Sequence, residues 1–257
     1  LPGSSIKEVY DDSRAEYETL LEANRKMREE ELGAIADEIN APKHSLVIFN
    51  PNSISAADIV TFQSPEGISI PAVYDGEEKL VVQKTMEGSW IFKASEIPGK
   101  GFKTYLVCED DTVSEVDVNM EISTSKMENH YFRLDYNEKG QFISIYDKRA
   151  KRQLLKPGQA ANVIMSYEDR PHNYDAWDVN NYYTEKSWEI DDVSSMEVVE
   201  NGPVRGCVRI ERRYLDSVIT QYVSIYREIP RIDIKHVIDW KEHQIFVKSW
   251  FPADIHT

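Results

Sequence analysis

Apolar residues recur along this chain with two different periods. In "GSSIKEVYDDSRAEYETLLEANRKMREEELGAIADEIN", Tyr17, Leu20, Leu21, Met27, Leu32, Ile35 and Ile39 return at helical spacing and form one stripe. The spacing predicts a helix over 6–39. Ser5 followed by Glu8 reads as a capping box at its start, and "NAP" at 40–42 as its stop. A helix this long with a single apolar face cannot bury that face alone. It needs the β part that follows, or partner helices preceding Leu1.

From Ser45 onward the period is two. "SLVIFNP", "ADIVTFQS", "PAVYD", "KLVVQKT", "WIFKAS" and "FKTYLVCE" are short runs separated by Pro, Gly, Asn or Asp, the pattern of an antiparallel sandwich. The polar stretch "DDTVSEVDVNMEISTSKMEN" separates them from a second β block. That block opens with "HYFRLDYNEKGQFISIYDKRAKRQLL", a hairpin turning at Asn137 to Gly140. In "VRGCVRIERRY", Val208, Ile210 and Tyr214 fall on one face of a strand and Cys207, Arg209 and Glu211 on the other, as in a half-buried sheet.

One segment departs from both periods. "SYEDRPHNYDAWDVNNYY", residues 166–183, holds four acidic groups, one His, four Tyr and one Trp. Aromatic faces stack on sugar C–H faces and carboxylates accept from sugar hydroxyls, so a polyol site needs both types together. The plainer reading is an acidic surface loop that buries its rings beneath itself. Glycosidase chemistry needs two carboxyls about 5 Å apart for retention or about 6.5–9.5 Å for inversion. Asp175 and Asp178 can reach such a separation, but so can most acidic pairs here, and spacing nominates no catalytic residue.

Charge and composition narrow the partners. A net charge of −15 disfavours nucleic acid and anionic membrane surfaces. No run approaches a membrane span, and Leu1 opens no signal-peptide pattern. Cys108 and Cys207 are far apart, without metal-site spacing. They read as free thiols suited to a reducing, cytoplasmic setting, although spacing leaves a bridge between them open. The six histidines are scattered singly and imply no metal site. Glycine-rich nucleotide loops and nucleophile elbows are missing.

At "YEDRPHNYDAWDV" the chain resembles the α-mannosidases of glycoside hydrolase family 38, in which a Pro is followed closely by an aromatic residue and Asp-Ala-Trp-Asp. Four further landmarks fall in the family's order: "LPGSSIKEVYDDSRAEY", "LVIFNPNSISAADIV", "ENHYFRLDYNEKGQFISIYDKRAKRQLL" and "WFPADIHT". The Asp-Ala-Trp-Asp variant points to the cytosolic-type and bacterial branch. There are departures: Tyr174 stands where Trp is commoner, "NPNSISAADIV" lacks an aromatic and an Arg, and "WKEHQIFVKSWFP" carries an extra aromatic.

The resemblance implies a mainly β fold. A long N-terminal helix, the remnant of a helical bundle (1–42), precedes a small antiparallel β-sandwich (43–126). Residues 127–257 then form the first part of a galactose-mutarotase-like β-supersandwich that continues beyond the chain. The implied parent enzyme is a retaining α-mannosidase acting on mannose-containing oligosaccharides or mannosides. Its zinc, or another divalent metal such as cobalt, and its reacting carboxylates would lie in a barrel preceding Leu1. This chain would then carry no catalytic or metal-binding residue and be inactive alone. Asp175, Trp177 and Asp178 would line one wall of the parent's site; alternatively, Trp177 anchors a domain interface and the two aspartates cap turns. A stand-alone carbohydrate-binding or mutarotase-like β-domain is the competing reading. The apolar helix stripe further implies a homo-oligomer.

Overall fold

The computed structural model describes residues 7–110, 119–173 and 179–255, and the protein is mainly β, with one helix ahead of several antiparallel sheets. Helix α1 spans Lys7–Asp37. Its exposed surface carries pairs at helical spacing, with Arg25 reaching Glu22 at 2.6 Å and Glu29 at 2.8 Å. No residue of α1 is buried, and Leu21 is 67% exposed. The apolar stripe therefore does not pack on the β part, the first of its two expected supports. Ser5, the expected cap, lies outside the described residues.

The next seven strands are β1 (Ser45–Asn50), β2 (Ala56–Phe62), β3 (Pro71–Asp75), β4 (Glu78–Leu80), β5 (Val82–Lys84), β6 (Trp90–Ile97) and β7 (Gly101–Glu109). They form two sheets, ordered β1-β7-β3-β4 and β2-β6-β5. Between the sheets, Phe62, Val73, Phe92, Tyr105 and Val107 make one buried cluster, with Phe92 and Tyr105 edge to face at 5.0 Å. "KLVVQKT" reads as one strand by pattern but is two. The chain leaves one sheet after Leu80 and enters the other at Val82, so residues of similar apolar character serve different layers.

Five strands follow: β8 (Glu121–Ile122), β9 (Lys126–Glu128), β10 (Phe132–Tyr136), β11 (Phe142–Asp147) and β12 (Arg152–Gln153). They form one sheet, ordered β12-β11-β10-β9-β8. The polar separator thus supplies two short strands at one side of this sheet, β8 at its edge and β9 next to it. The β10–β11 turn falls at Asn137–Gly140 as the sequence implies, with Gly140 at φ 68° and its N–H donating to Asn137 O at 3.0 Å.

The remaining strands are β13 (Val163–Glu168), β14 (Ser187–Glu189), β15 (Val193–Asn201), β16 (Arg205–Tyr214), β17 (Ser217–Tyr226), β18 (Ile232–Asp239) and β19 (Ile245–Trp250). A four-stranded sheet runs β15-β16-β17-β18 and a three-stranded sheet β14-β13-β19. The largest core joins Met127, Leu134 and Phe142 of the five-stranded sheet to Val208, Ile210, Val223 and Ile225 of the four-stranded one. That confirms the apolar face read from "VRGCVRIERRY", with one exception: Arg212 sits on the same face and is 1% exposed.

A polar joint ties the β1–β7 layers to the four-stranded sheet. Gln83 Oε1 accepts from Val204 N at 2.9 Å and Arg205 N at 2.8 Å, while its Nε2 donates to Arg205 O at 3.0 Å. A Cβ on Gly202 would lie 2.2 Å from the Gln83 side chain, so this approach requires glycine.

Candidate functional site

The 166–183 segment leaves the sheet at the end of β13 and returns through a 3-10 turn, Asn181–Glu185, into β14. Its two limbs are tied near the sheet. Glu168 N donates to Lys186 O at 3.1 Å, and Lys186 Nζ reaches Glu168 Oε2 at 2.8 Å. Tyr182 OH donates to Arg170 O at 3.1 Å. The hydrogen bond from Lys186 holds the Glu168 carboxyl below its usual range, against the opposing effect of desolvation. Asp175, Trp177 and Asp178 fall at 174–178, outside the described residues.

Beneath the limbs lies an aromatic cluster that the sequence reading passed over. On one face of the three-stranded sheet, Tyr167 pairs with Phe246, Met165 with Lys248, and Val163 with Trp250. The 3-10 turn lays Tyr183 over this row, 5.2 Å from Tyr167 and 5.7 Å from Phe246 between ring centres, both edge to face. Lys248 is enclosed by the rings. Its Nζ stands 4.3 Å from the centre of Tyr183 and 5.1 Å from that of Phe246, and donates to Tyr183 OH. Trp250 Nε1 donates to Tyr167 OH at 2.9 Å, yet its residue remains 52% exposed. The other face of β19 turns Val247 toward Ile164, Ile190 and Ile219. Alternation in "FVKSW" was the available signal: it places Phe246, Lys248 and Trp250 together.

Tyr167 is buried beneath the loop, whereas Tyr182 stays exposed. An open groove of about 670 Å³ runs along Lys156, Gln159, Lys248, Trp250 and Phe251. Its exposed indole can stack on a sugar ring, with polar side chains to orient hydroxyls.

Among the described residues, carboxyls displaced from their ordinary values are displaced downward. Glu128 is held down first by its hydrogen bond from Lys148, and Glu211 by one from Ser194. A glycosidase general acid requires the opposite displacement. No three His, Cys, Asp or Glu side chains among the described residues converge on a point that would hold a metal ion. The described part of this chain therefore does not fit a zinc site. Cys108 and Cys207 are both free, and burial raises the Cys207 thiol above its ordinary value. Among the described residues no helix is long and apolar enough to cross a membrane.

Residues 127–257 match the family described as Glycosyl hydrolases family 38 C-terminal domain. The chain is also similar to Alpha-mannosidase 2C1 of Homo sapiens, 23% identical over 133 residues that make up 51% of this chain and 13% of the relative. The chain thus spans far less than two thirds of the curated relative it matches. With the match covering the aromatic cluster, the 166–183 segment and the four-stranded sheet, the chain belongs to glycosyl hydrolases family 38 through that C-terminal domain.

Proposed function

We propose that this chain is the non-catalytic part of an α-mannosidase that removes terminal α-linked mannose with retention of configuration. The observation that carries this reading is the family match over 127–257, which contains the Asp-Ala-Trp-Asp segment. The similarity to an α-mannosidase supports the substrate class. In this reading the divalent metal, zinc or cobalt, and the reacting carboxylates belong to a part of the parent outside these residues. The chain contributes a wall and a scaffold. We assign Asp175, Trp177 and Asp178 to one wall of the parent's substrate site. We also assign 43–126 and 127–257 to separate β-domains, and the two free thiols support a cytoplasmic setting.

Hydrolysis of a chromogenic α-mannoside tests the central point. The 257-residue chain should release nothing above background, while the longer parent protein loaded with zinc or cobalt should turn over and yield α-mannose first, as seen by NMR. Turnover by the chain alone, or none by the metal-loaded parent, would overturn the reading. The exposed α1 stripe, including Leu20, Leu21 and Ile35, supports self-association of this chain. Sedimentation velocity should show its apparent mass rising with concentration, and a monomer throughout would remove the oligomer.

A further inference from the structure

The four-stranded sheet has a second face, opposite the large core, that neither the family match nor the 166–183 segment explains. Register places Arg205 beside Tyr226, Cys207 beside Ser224 and Asp233, and Arg209 beside Tyr222 and Lys235. Every one of these is polar, aromatic or thiol-bearing, whereas the facing positions Val208, Val223 and Ile234 enter the core. A solvent-facing polar face would be ordinary. Here the face is roofed instead, because the turn joining β5 to β6 folds over it and encloses a cleft of about 460 Å³. Cys207, Ser224 and Tyr226 in the floor, and Thr85 and Ser89 in the roof, are all buried.

The roof is held rigidly. Glu200 is fixed by Arg205 at 2.7 Å and accepts from Met86 N at 3.0 Å, which pins the turn to the sheet. Thr85 and Ser89 hydroxyls meet across the turn at 2.8 Å. The volume falls within the range of small-molecule sites, about 300–1,000 Å³, and such sites favour the junctions between structural units.

The charges show what the cleft accepts. Arg205 is already paired with Glu200, and Asp233 with Arg231 at 2.9 Å and with Tyr226 OH at 2.6 Å. Two charged groups remain uncommitted to ion pairs or hydrogen bonds among the described residues: Glu87 on the roof, and Lys235 at the floor, which stands 5.8 Å from the Tyr222 ring centre. One lone acceptor and one lone donor beside an aromatic ring suit a neutral polyol, whose hydroxyls both give and take hydrogen bonds. A phosphate would meet Glu87 and a chain of net charge −15.

We propose that this cleft is a carbohydrate-binding site, separate from the 166–183 segment, that takes a neutral pyranose-sized polyol between Tyr222, Lys235 and Glu87. It goes beyond the mannosidase reading and does not depend on it. Saturation-transfer NMR on the 257-residue chain would test it, titrating methyl α-mannopyranoside, methyl α-glucopyranoside and inorganic phosphate separately. At least one pyranoside should bind saturably. Its affinity should fall roughly tenfold or more in Tyr222→Ala and in the exposed double variant Glu87→Gln/Lys235→Gln. Leu215→Ala, on the exposed turn between β16 and β17, should leave it unchanged, and Trp250→Ala tells whether sugar binds instead in the groove along β19. Thermal melts would report whether each variant folds, and the double variant decides the matter if Tyr222→Ala does not. Four results would each overturn the inference: no saturable sugar binding; binding indifferent to the cleft variants; binding lost in Trp250→Ala alone; or phosphate binding in place of sugar. The third result would relocate the sugar to β19 and leave the parent's proposed activity untouched.

Discussion

Two arginines on strand β16, seven positions apart, show two ways of burying the same charge. Arg205 lies on the polar face and makes a two-pronged contact with Glu200, each prong 2.7 Å. Burial alone would lower its pKa, but the hydrogen bonds and charge of Glu200 prevail and leave it above the ordinary value. Arg212 lies on the core face with no carboxylate in contact among the described residues. It donates to Lys139 O at 2.8 Å, to Gly140 O at 3.0 Å, and to Gln221 Oε1. There burial dominates, offset weakly by Glu189 at a distance, and the guanidinium is pulled down to about 10. Neutral acceptors satisfy the donors of Arg212 without cancelling its charge. Such a group is tolerated only while its whole network stays in register.

The Arg212 network closes on itself. Gln221 Nε2 donates to Asn162 Oδ1 at 2.8 Å and meets His236 Nε2 at 2.7 Å, while Asn162 Nδ2 donates to Gly140 O at 3.1 Å. It locks the β10–β11 turn onto the four-stranded sheet so closely that a Cβ on Gly140 would lie 2.8 Å from Arg212 Nη2. Arg205 instead locks the β5–β6 turn. One strand therefore positions two distant turns, by an ion pair on one face and an amide network on the other.

The largest expected effect is from Arg212→Ala. It opens a cavity and strips donors from buried carbonyls, and should cost about 3–5 kcal/mol in urea unfolding. A loss under about 1 kcal/mol would show that the network is not structural and break the contrast. Glu200→Ala comes next, at about 3 kcal/mol, because it leaves Arg205 partly buried and unpaired. Adding Arg205→Ala to Glu200→Ala should recover part of that loss, and a double-mutant cycle measures how much. No comparable rescue should follow when Gln221→Ala is added to Arg212→Ala, since uncharged partners leave no stranded charge.

The smallest effect is a pH dependence. Burial, with a contribution from the Arg212 charge, lowers the pKa of His236 below its ordinary value. Between that lowered value and about 6.5 the unfolded chain binds more protons than the folded one. Stability should therefore be full above about pH 6.5 and decline as pH falls through this window. Unfolding measured at pH 7.5 and 5.5 should differ by under about 1 kcal/mol, and His236→Asn should shrink the difference. Arg212 has the same sign at the alkaline end: its folded pKa of about 10 makes its burial less costly as pH rises from there toward the ordinary arginine value. An unchanged difference in His236→Asn would show that His236 is not coupled to the buried network.

Much of the architecture was legible because burial repeats with backbone geometry. The alternation in "PAVYD", "WIFKAS" and "FKTYLVCE" became β3, β6 and β7, and the Asn137–Gly140 turn followed from turn chemistry. The division of "KLVVQKT" between two sheets was not legible, since alternation reports which face a residue takes and not which layer it joins. Arg212 was missed for a related reason. An arginine between Ile210 and Tyr214 in an apolar row reads as a solvent-facing exception until the carbonyls and amides that enclose it, some from residues as distant as Lys139, are brought alongside.

By itself the sequence determined the class of this protein: a helix ahead of antiparallel β layers, and a family kinship carried by short landmarks such as "DAWD". These are local properties, set by period, turn residues and motif, and each is complete within a few neighbouring positions. Only the tertiary structure decided that α1 leaves its apolar stripe uncovered, that Tyr167, Tyr183, Phe246 and Lys248 form one cluster, and that Gln83 ties the β1–β7 layers to the four-stranded sheet. Each depends on contacts between positions far apart in the chain, where the free energy lies in matching shapes and satisfying distant donors, which no local pattern encodes.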